Sequence, residues 1–307
     1  MRIAVVGAGG VGGAYGAALA KAGADVTFIA RGVHLAAMKS KGLKLESQRG
    51  DIHLVPTQAT DDPKTVGPVD VVLFCVKLWD VESAGEAIKP MVGKDTAVIP
   101  LQNGVDAADR LMPIVGRQAV MGGVANISAT IAEPGVIRQT GTVVRMVFGE
   151  LDGSRSARGE AFANLCAQAG IDGVLSAAIQ TELWMKFILL ASNASIMALA
   201  RLPVGKLRDD PDIAPWFTTA YEEVAAVGRA AGIALPADAV DKTLNFNRTA
   251  PPHLIPSMAV DLLRGNRIEL PWLSGKVVEL GRKYGVPTPT HAFMYATLKP
   301  YVMGKPV

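Results

Sequence analysis

Short apolar runs alternate with helical periodicity through the first half of the chain. Ile3–Val6, Val26–Ile29, Val69–Cys75 and Ala97–Leu101 predict strands, and the unbroken, valine-rich run at Val69–Cys75 suits a strand buried on both faces. Between them, residues 10–22, 34–41 and 81–91 carry helical spacing. Leu43–Gln48 and Ile52–Val55 flank Arg49-Gly50-Asp51 and predict a hairpin. Further strands are expected at residues 119–125, 136–139 and 143–148, with breaks at Pro134-Gly135 and Gly141. The portion from Pro134 to Phe148 reads as an antiparallel edge. A helix over residues 156–169 and a short strand near Val174 close this half. Alternation of this kind predicts a mostly parallel, doubly wound sheet with helices on both faces.

After about Ala178 strand patterns stop. Residues 180–200, 213–231, 237–247, 257–264, 273–284 and 292–301 all read as helices, some separated by Pro251-Pro252 and by Pro287 and Pro289. The expected organisation is an α/β domain over residues 1–177 and an all-α domain over residues 178–307, with a tight junction and a ligand-sized cleft between them. The length of 307 residues agrees with two cores rather than one.

Composition narrows the function. A net charge of +3, spread without a basic block, argues against a nucleic-acid partner. The apolar start, Ile3–Val6, breaks into glycines too soon for a signal peptide, and no apolar stretch is expected to reach the ~18 residues of a membrane span. Two distant cysteines, Cys75 and Cys166, form neither a disulfide framework nor a zinc site and are expected to be buried and reduced. The expectation is a soluble cytoplasmic protein with no membrane partner and no metal.

The chemistry begins at Gly7-Ala8-Gly9-Gly10-Val11-Gly12, a G-x-G-x-x-G pattern that directly follows a predicted strand and opens an alanine-rich helix. Gly7 allows the tight turn, Gly9 lets the backbone approach a pyrophosphate, and Gly12 lets helix and strand pack closely. The helix start then offers unpaired N–H groups to the phosphates. An NAD enzyme usually carries an acid at the end of the second strand; here the chain reads Phe28-Ile29-Ala30-Arg31-Gly32. A guanidinium there suits a 2′-phosphate and favours NADPH over NADH or a flavin dinucleotide.

Lys186 lies in Leu183-Trp184-Met185-Lys186-Phe187-Ile188-Leu189-Leu190, an apolar helix where a cation needs a reason. One reason is pairing with Glu182 at i, i+4; the other is chemistry. Hydride attack on a ketone builds negative charge on oxygen, and a placed ammonium stabilises that charge and donates a proton. None of the four histidines (His34, His53, His253, His291) lies in an acid–base motif.

The ordered set Gly7–Gly12, Arg31, Cys75-Val76-Lys77-Leu78-Trp79, Leu101-Gln102-Asn103-Gly104, Trp184-Met185-Lys186 and Ser257-Met258 with Glu269 resembles the ketopantoate reductase (2-dehydropantoate 2-reductase) family over nearly the whole chain. The resemblance implies a Rossmann-type N-terminal domain with a helical C-terminal substrate domain, and NADPH-dependent reduction of 2-dehydropantoate to (R)-pantoate. It implies that Arg31 and Lys77 lie near the adenosine 2′-phosphate, and that Asn103 meets both nicotinamide ribose and substrate. Lys186 is then the catalytic lysine, Ser257 holds the substrate carboxylate, and Glu269 sits by the ribose and the lysine. A homodimer is also a family-level implication.

The sequence departs from the family at three amides. Leu190, Ala194 and Val204 stand where asparagines clamp the polar groups of the substrate. Asn193, seven residues after Lys186, faces the same way on a helix and is a candidate to supply one amide. The alternative readings are an NADP-dependent reductase or dehydrogenase of a less hydroxylated 2-oxo acid, a non-catalytic NADPH-binding regulator, and a flavoprotein.

Overall fold

The computed structural model describes residues 1–306. The chain falls into two units: residues 1–102 with 106–179, and residues 103–105 with those from 180 onward.

The first unit holds two five-stranded sheets. Strands β1 (Arg2–Val6), β2 (Asp25–Ile29), β5 (Ala59–Thr60), β6 (Val69–Phe74) and β7 (Val92–Pro100) form one, in the order β5-β2-β1-β6-β7, with every neighbouring pair parallel. Strands β3 (Leu43–Ser47), β4 (Ile52–Leu54), β8 (Met121–Glu133), β9 (Val136–Glu150) and β10 (Asp172–Leu175) form the other. Helices α1 (Gly10–Lys21), α2 (Gly32–Lys41), α3 (Val81–Ile88), α4 (Ala107–Val115) and α5 (Ala157–Gln168) complete the unit.

Helix α1 packs against both sheets. A Cβ at Gly16 would strike the Phe28 ring and one at Gly12 would strike Val5, both in the first sheet; a Cβ at Gly13 would come within 2.6 Å of Ile137 in the second. This explains the glycine and alanine content of the helix: with neighbours on two faces there is no space for larger side chains.

The second sheet differs from expectation. β8 and β9 form one long antiparallel hairpin turning at Pro134-Gly135, and Gly141 does not end a strand. The register jumps from Ile127↔Val144 to Ser128↔Thr140, so Gly141, with φ of 73°, sits in a bulge that the strand continues through. Nor is β9 an edge. It pairs antiparallel with β8 along one side and parallel with β3 and β10 along the other. Helix α4 is not among the predicted elements; it contains Pro113, a residue that interrupts helical hydrogen bonding.

The second unit is helical: α6 (Ile179–Ala200, from Gln180 onward), α7 (Ala214–Ala230), α8 (Ala239–Thr249), α9 (Ser257–Leu263), α10 (Ser274–Tyr284) and α11 (Pro289–Leu298). Helix α6 corrects one expectation: its length of 22 residues and window hydropathy of 1.6 are long and apolar enough to cross a membrane. Those apolar residues instead form the core of this unit, where Phe187, Ile188, Ala191, Ala194 and Met197 pack with Tyr221, Val224, Val277 and Met294. Buried polar groups join the helices. The Ser195 and Ser274 hydroxyls are 2.7 Å apart, and Ser274 Oγ lies 3.0 Å from His291 Nδ1. The Glu223 carboxylate accepts the Thr290 and His291 N–H groups and so caps α11.

Candidate active site

The glycine segment leaves β1 and enters α1 as the pattern required. Gly7 has φ of 92°, and an added Cβ would lie 2.8 Å from the Cys75 carbonyl oxygen, so neither the turn nor the packing admits a side chain. Gly7 and Ala8 both donate their N–H to Ile29 O, at 3.1 and 3.3 Å. The first bond of the helix runs from Gly13 N–H to Gly9 O. The amides of Gly10, Val11 and Gly12 therefore precede the helical ladder, and no side chain caps this end. A Cβ on Gly9 would meet no atom within 4 Å. An open space beside unpaired amides and a helix dipole fits a pyrophosphate.

Gly10 meets a packing constraint in addition to offering its amide. Its missing side chain makes room for the Ala129 carbonyl of β8. Arg31 is exposed at the end of β2 and is the N-cap residue of α2. Lys77 is exposed after β6, with its ammonium 5.6 Å from the centre of the Trp79 ring. β1 lies between β2 and β6, so the glycine loop, Arg31 and Lys77 follow the carboxyl ends of three adjacent strands, where dinucleotides bind such sheets.

The second unit holds the polar group that the sequence singled out on α6. Lys186 is partly buried and its Nζ donates to Asn103 Oδ1 at 3.2 Å. Asn103 is presented by a turn in which Gly104 has φ of 95°, a conformation that favours glycine. Burial, partly offset by the charge of Glu269, lowers the Lys186 ammonium from 10.5 to about 8. Glu269 is 4% exposed and lies in the same unit as Lys186. The charge that acts on Lys186 is thus that of Glu269, almost ninety positions beyond the Glu182 that helical spacing offered. Lys186, Asn103 and Glu269 are brought together.

Other candidates are placed differently. Ser257 is exposed on the first turn of α9, where Pro256 takes the N-cap position, so it is not the capping residue. Asn193 shares the face of Lys186 but lies about 10 Å further along the helix axis. Its amide oxygen accepts from Tyr221 and its NH2 group donates to Asn247 at 3.0 Å, which leaves it a core hydrogen-bonding role. Leu190, one turn beyond Lys186, is partly buried, while Ala194 and Val204 are wholly buried in the apolar cluster. His291 is also fully buried, and burial lowers it to about 4, so it is neutral near pH 7 and no proton donor.

Sequence reasoning missed one residue beside the glycine loop. His34 Nε2 lies 2.9 Å from Ala8 O, and the Gly135 N–H donates to Nδ1 at 3.1 Å. Nothing in a single sequence ties position 34 to position 8.

Comparison with known proteins identifies relatives along nearly the whole chain. The family model "Ketopantoate reductase PanE/ApbA" matches residues 3–153, and "Ketopantoate reductase PanE/ApbA C terminal" matches residues 178–302. The 2-dehydropantoate 2-reductase of Mesorhizobium japonicum is 30% identical, with 94% of each chain covered. A crystal structure of a PanE/ApbA family ketopantoate reductase from Ralstonia eutropha superposes with a TM-score of 0.90 at 35% identity, covering 98% of both chains. D-mandelate dehydrogenase, solved with NADH and anilino(oxo)acetate, shares the fold with a TM-score of 0.90 at 21% identity and 98% coverage of both chains.

Proposed function

The chain belongs to the ketopantoate reductase family, and from that premise we propose that it reduces 2-dehydropantoate to (R)-pantoate with NADPH. The observation that carries the reading is the partly buried Lys186 ammonium, held by Asn103 and compensated by Glu269. NADPH, when bound, supplies the hydride. The amides opening α1 hold the pyrophosphate, and Arg31 with Lys77 holds the 2′-phosphate. Asn103 Oδ1 takes one hydrogen of Lys186 and so fixes the direction of the others. As hydride arrives at C2 of the oxo acid, charge develops on the ketone oxygen; Lys186 stabilises it and transfers a proton, leaving a neutral amine that solvent reprotonates. Glu269 keeps the cation affordable in its buried setting, and Ser257 receives the substrate carboxylate.

A second reading of the substrate rests on the apolar residues beyond Lys186. Leu190, Ala194 and Val204 offer no hydrogen bond to a substrate hydroxyl, and an unpaired buried hydroxyl costs about 1–3 kcal/mol. This favours a less hydroxylated 2-oxo acid. Steady-state kinetics with 2-dehydropantoate and a panel of apolar 2-oxo acids decides between them; kcat/KM at least tenfold higher for an apolar acid replaces the first substrate by the second.

The protonation of Lys186 sets the pH response. The ammonium is the required acid in reduction, so kcat is expected to be flat on the acid side and to fall as pH rises through about 8. In the reverse oxidation the neutral amine is the base, and the rate should rise through the same value. Glu269→Gln removes the charge that raises Lys186 and should move the alkaline limb to lower pH; a limb that stays in place assigns it to another group. For the cofactor, Arg31→Ala should narrow the preference for NADPH over NADH by about tenfold, the worth of one charge-assisted hydrogen bond. Paired KM measurements giving an unchanged ratio would remove Arg31 from the 2′-phosphate site.

A further inference from the structure

The glycine loop is held by a side chain that no phosphate-binding pattern contains. In a trans peptide the carbonyl and the following N–H point in opposite directions. The orientation of the Ala8 carbonyl therefore fixes the Gly9 N–H. The acceptor is Ala8 O, and the group facing it at 2.9 Å is His34 Nε2. The opposite ring nitrogen accepts the Gly135 N–H, so Nδ1 carries no proton and Nε2–H is the donor. One neutral tautomer satisfies both bonds, and burial, which lowers the affinity of the ring for a proton, favours that neutral form.

Both anchors of the imidazole are themselves fixed. Ala8 is almost fully buried, and its own N–H is bound to Ile29 O. Gly135, at the tip of the β8–β9 hairpin with φ of 84°, accepts the Lys44 N–H at 2.9 Å. The same hairpin places the Ala129 carbonyl against Gly10. With the Ala8 carbonyl drawn toward His34, the Gly9 N–H is turned to the other side. Among the described residues that N–H has no hydrogen-bond partner, and the space beside Gly9 is open.

We propose that His34 is a positioning residue for dinucleotide binding: by clamping the Ala8 carbonyl to the Gly135 turn, it aims the Gly9 amide at the cofactor pyrophosphate. The proposal rests on the dinucleotide-binding reading of the glycine loop. It makes a distinction that reading does not. The pyrophosphate is common to NADPH and NADH, so loss of His34 weakens both by the same factor, whereas loss of Arg31 changes their ratio.

The test is fluorescence titration of NADPH and of NADH into the purified wild type and the His34→Ala, His34→Gln and His34→Asn variants, with kcat and thermal melting alongside. Failure of the wild type to bind either nucleotide sinks the underlying reading, separately from the role of His34. Given wild-type binding, His34→Ala is expected to raise Kd for both nucleotides by about tenfold, with kcat at saturating NADPH within about twofold. His34→Gln, which retains a donor for Ala8 O, is expected to recover most of the affinity; His34→Asn, which retains only the acceptor for Gly135, is not. Equal Kd values for wild type and His34→Ala overturn the proposal, as does a loss confined to NADPH. Should His34→Ala not fold, the comparison of the Gln and Asn variants decides, and equal affinities for those two overturn it.

Discussion

Lys186→Met is expected to lower kcat for oxo-acid reduction by about a thousandfold, within the range measured for loss of a placed general acid with its electrostatic contribution. Methionine keeps the approximate length of the apolar stem but removes the charge and the proton. The glycine loop, Arg31 and Lys77 belong to the other unit and remain intact, so Kd for NADPH should stay within about threefold. The alkaline limb assigned to Lys186 should vanish from the residual activity, because the group that titrates near 8 is gone. Stopped-flow hydride transfer and nucleotide titration on the same preparation separate the two effects. Parallel loss of nucleotide affinity and turnover would show that Lys186 supports the fold or the cofactor instead of the proton transfer.

The second large effect separates two neighbouring glycines. Gly9→Ala should melt within a degree or two of wild type, since its methyl meets no protein atom within 4 Å. The same methyl enters the space assigned to the pyrophosphate, and Kd for NADPH and NADH should rise about 10- to 100-fold, equivalent to the 1–3 kcal/mol of an overpacked contact. Gly10→Ala should do the reverse. Its methyl overlaps the Ala129 carbonyl, a backbone atom of a paired strand that cannot swing aside. A cost of about 1–3 kcal/mol lowers the melting temperature by roughly 3–10 °C for a unit of this size. Calorimetry and nucleotide titration on the two variants test this; a Gly9→Ala protein that binds normally would take the pyrophosphate away from the loop.

These contrasts show which features could be read in the sequence. The β1–loop–α1 segment was legible because the strand, the turn and the helix are all local and the glycines answer to backbone geometry. The buried parallel strands β2 and β6 were legible from unbroken apolar runs. Pairing across long separations was not. The hairpin β8–β9 looked like three separate pieces, because Gly141 in a bulge carries the same signal as Gly135 in a turn. That β9 is flanked on both sides depends on β3, about ninety positions earlier, and no local pattern records it. In the candidate site, Lys186 stood out as a cation in an apolar helix. Helical spacing pointed it to Glu182, while the structure places Glu269 and Asn103 beside it through tertiary folding alone. Asn193 lies on the helical face that spacing indicates, and tertiary folding adds bonds from its amide to Tyr221 and Asn247 that no spacing records.

The placement of α1 between two sheets has a thermodynamic consequence for its ligand. A loop continuous with a helix wedged on both faces has little conformational freedom to surrender, so association should incur a small ordering entropy. Amide protons along α1 should then exchange with deuterium as slowly before nucleotide is added as after, with any new protection limited to the few N–H groups that open the helix. Under the proposed function, rigidity of that kind would leave the choice between nucleotides to the exposed positions after β2 and β6, where a substitution meets water instead of a packed wall.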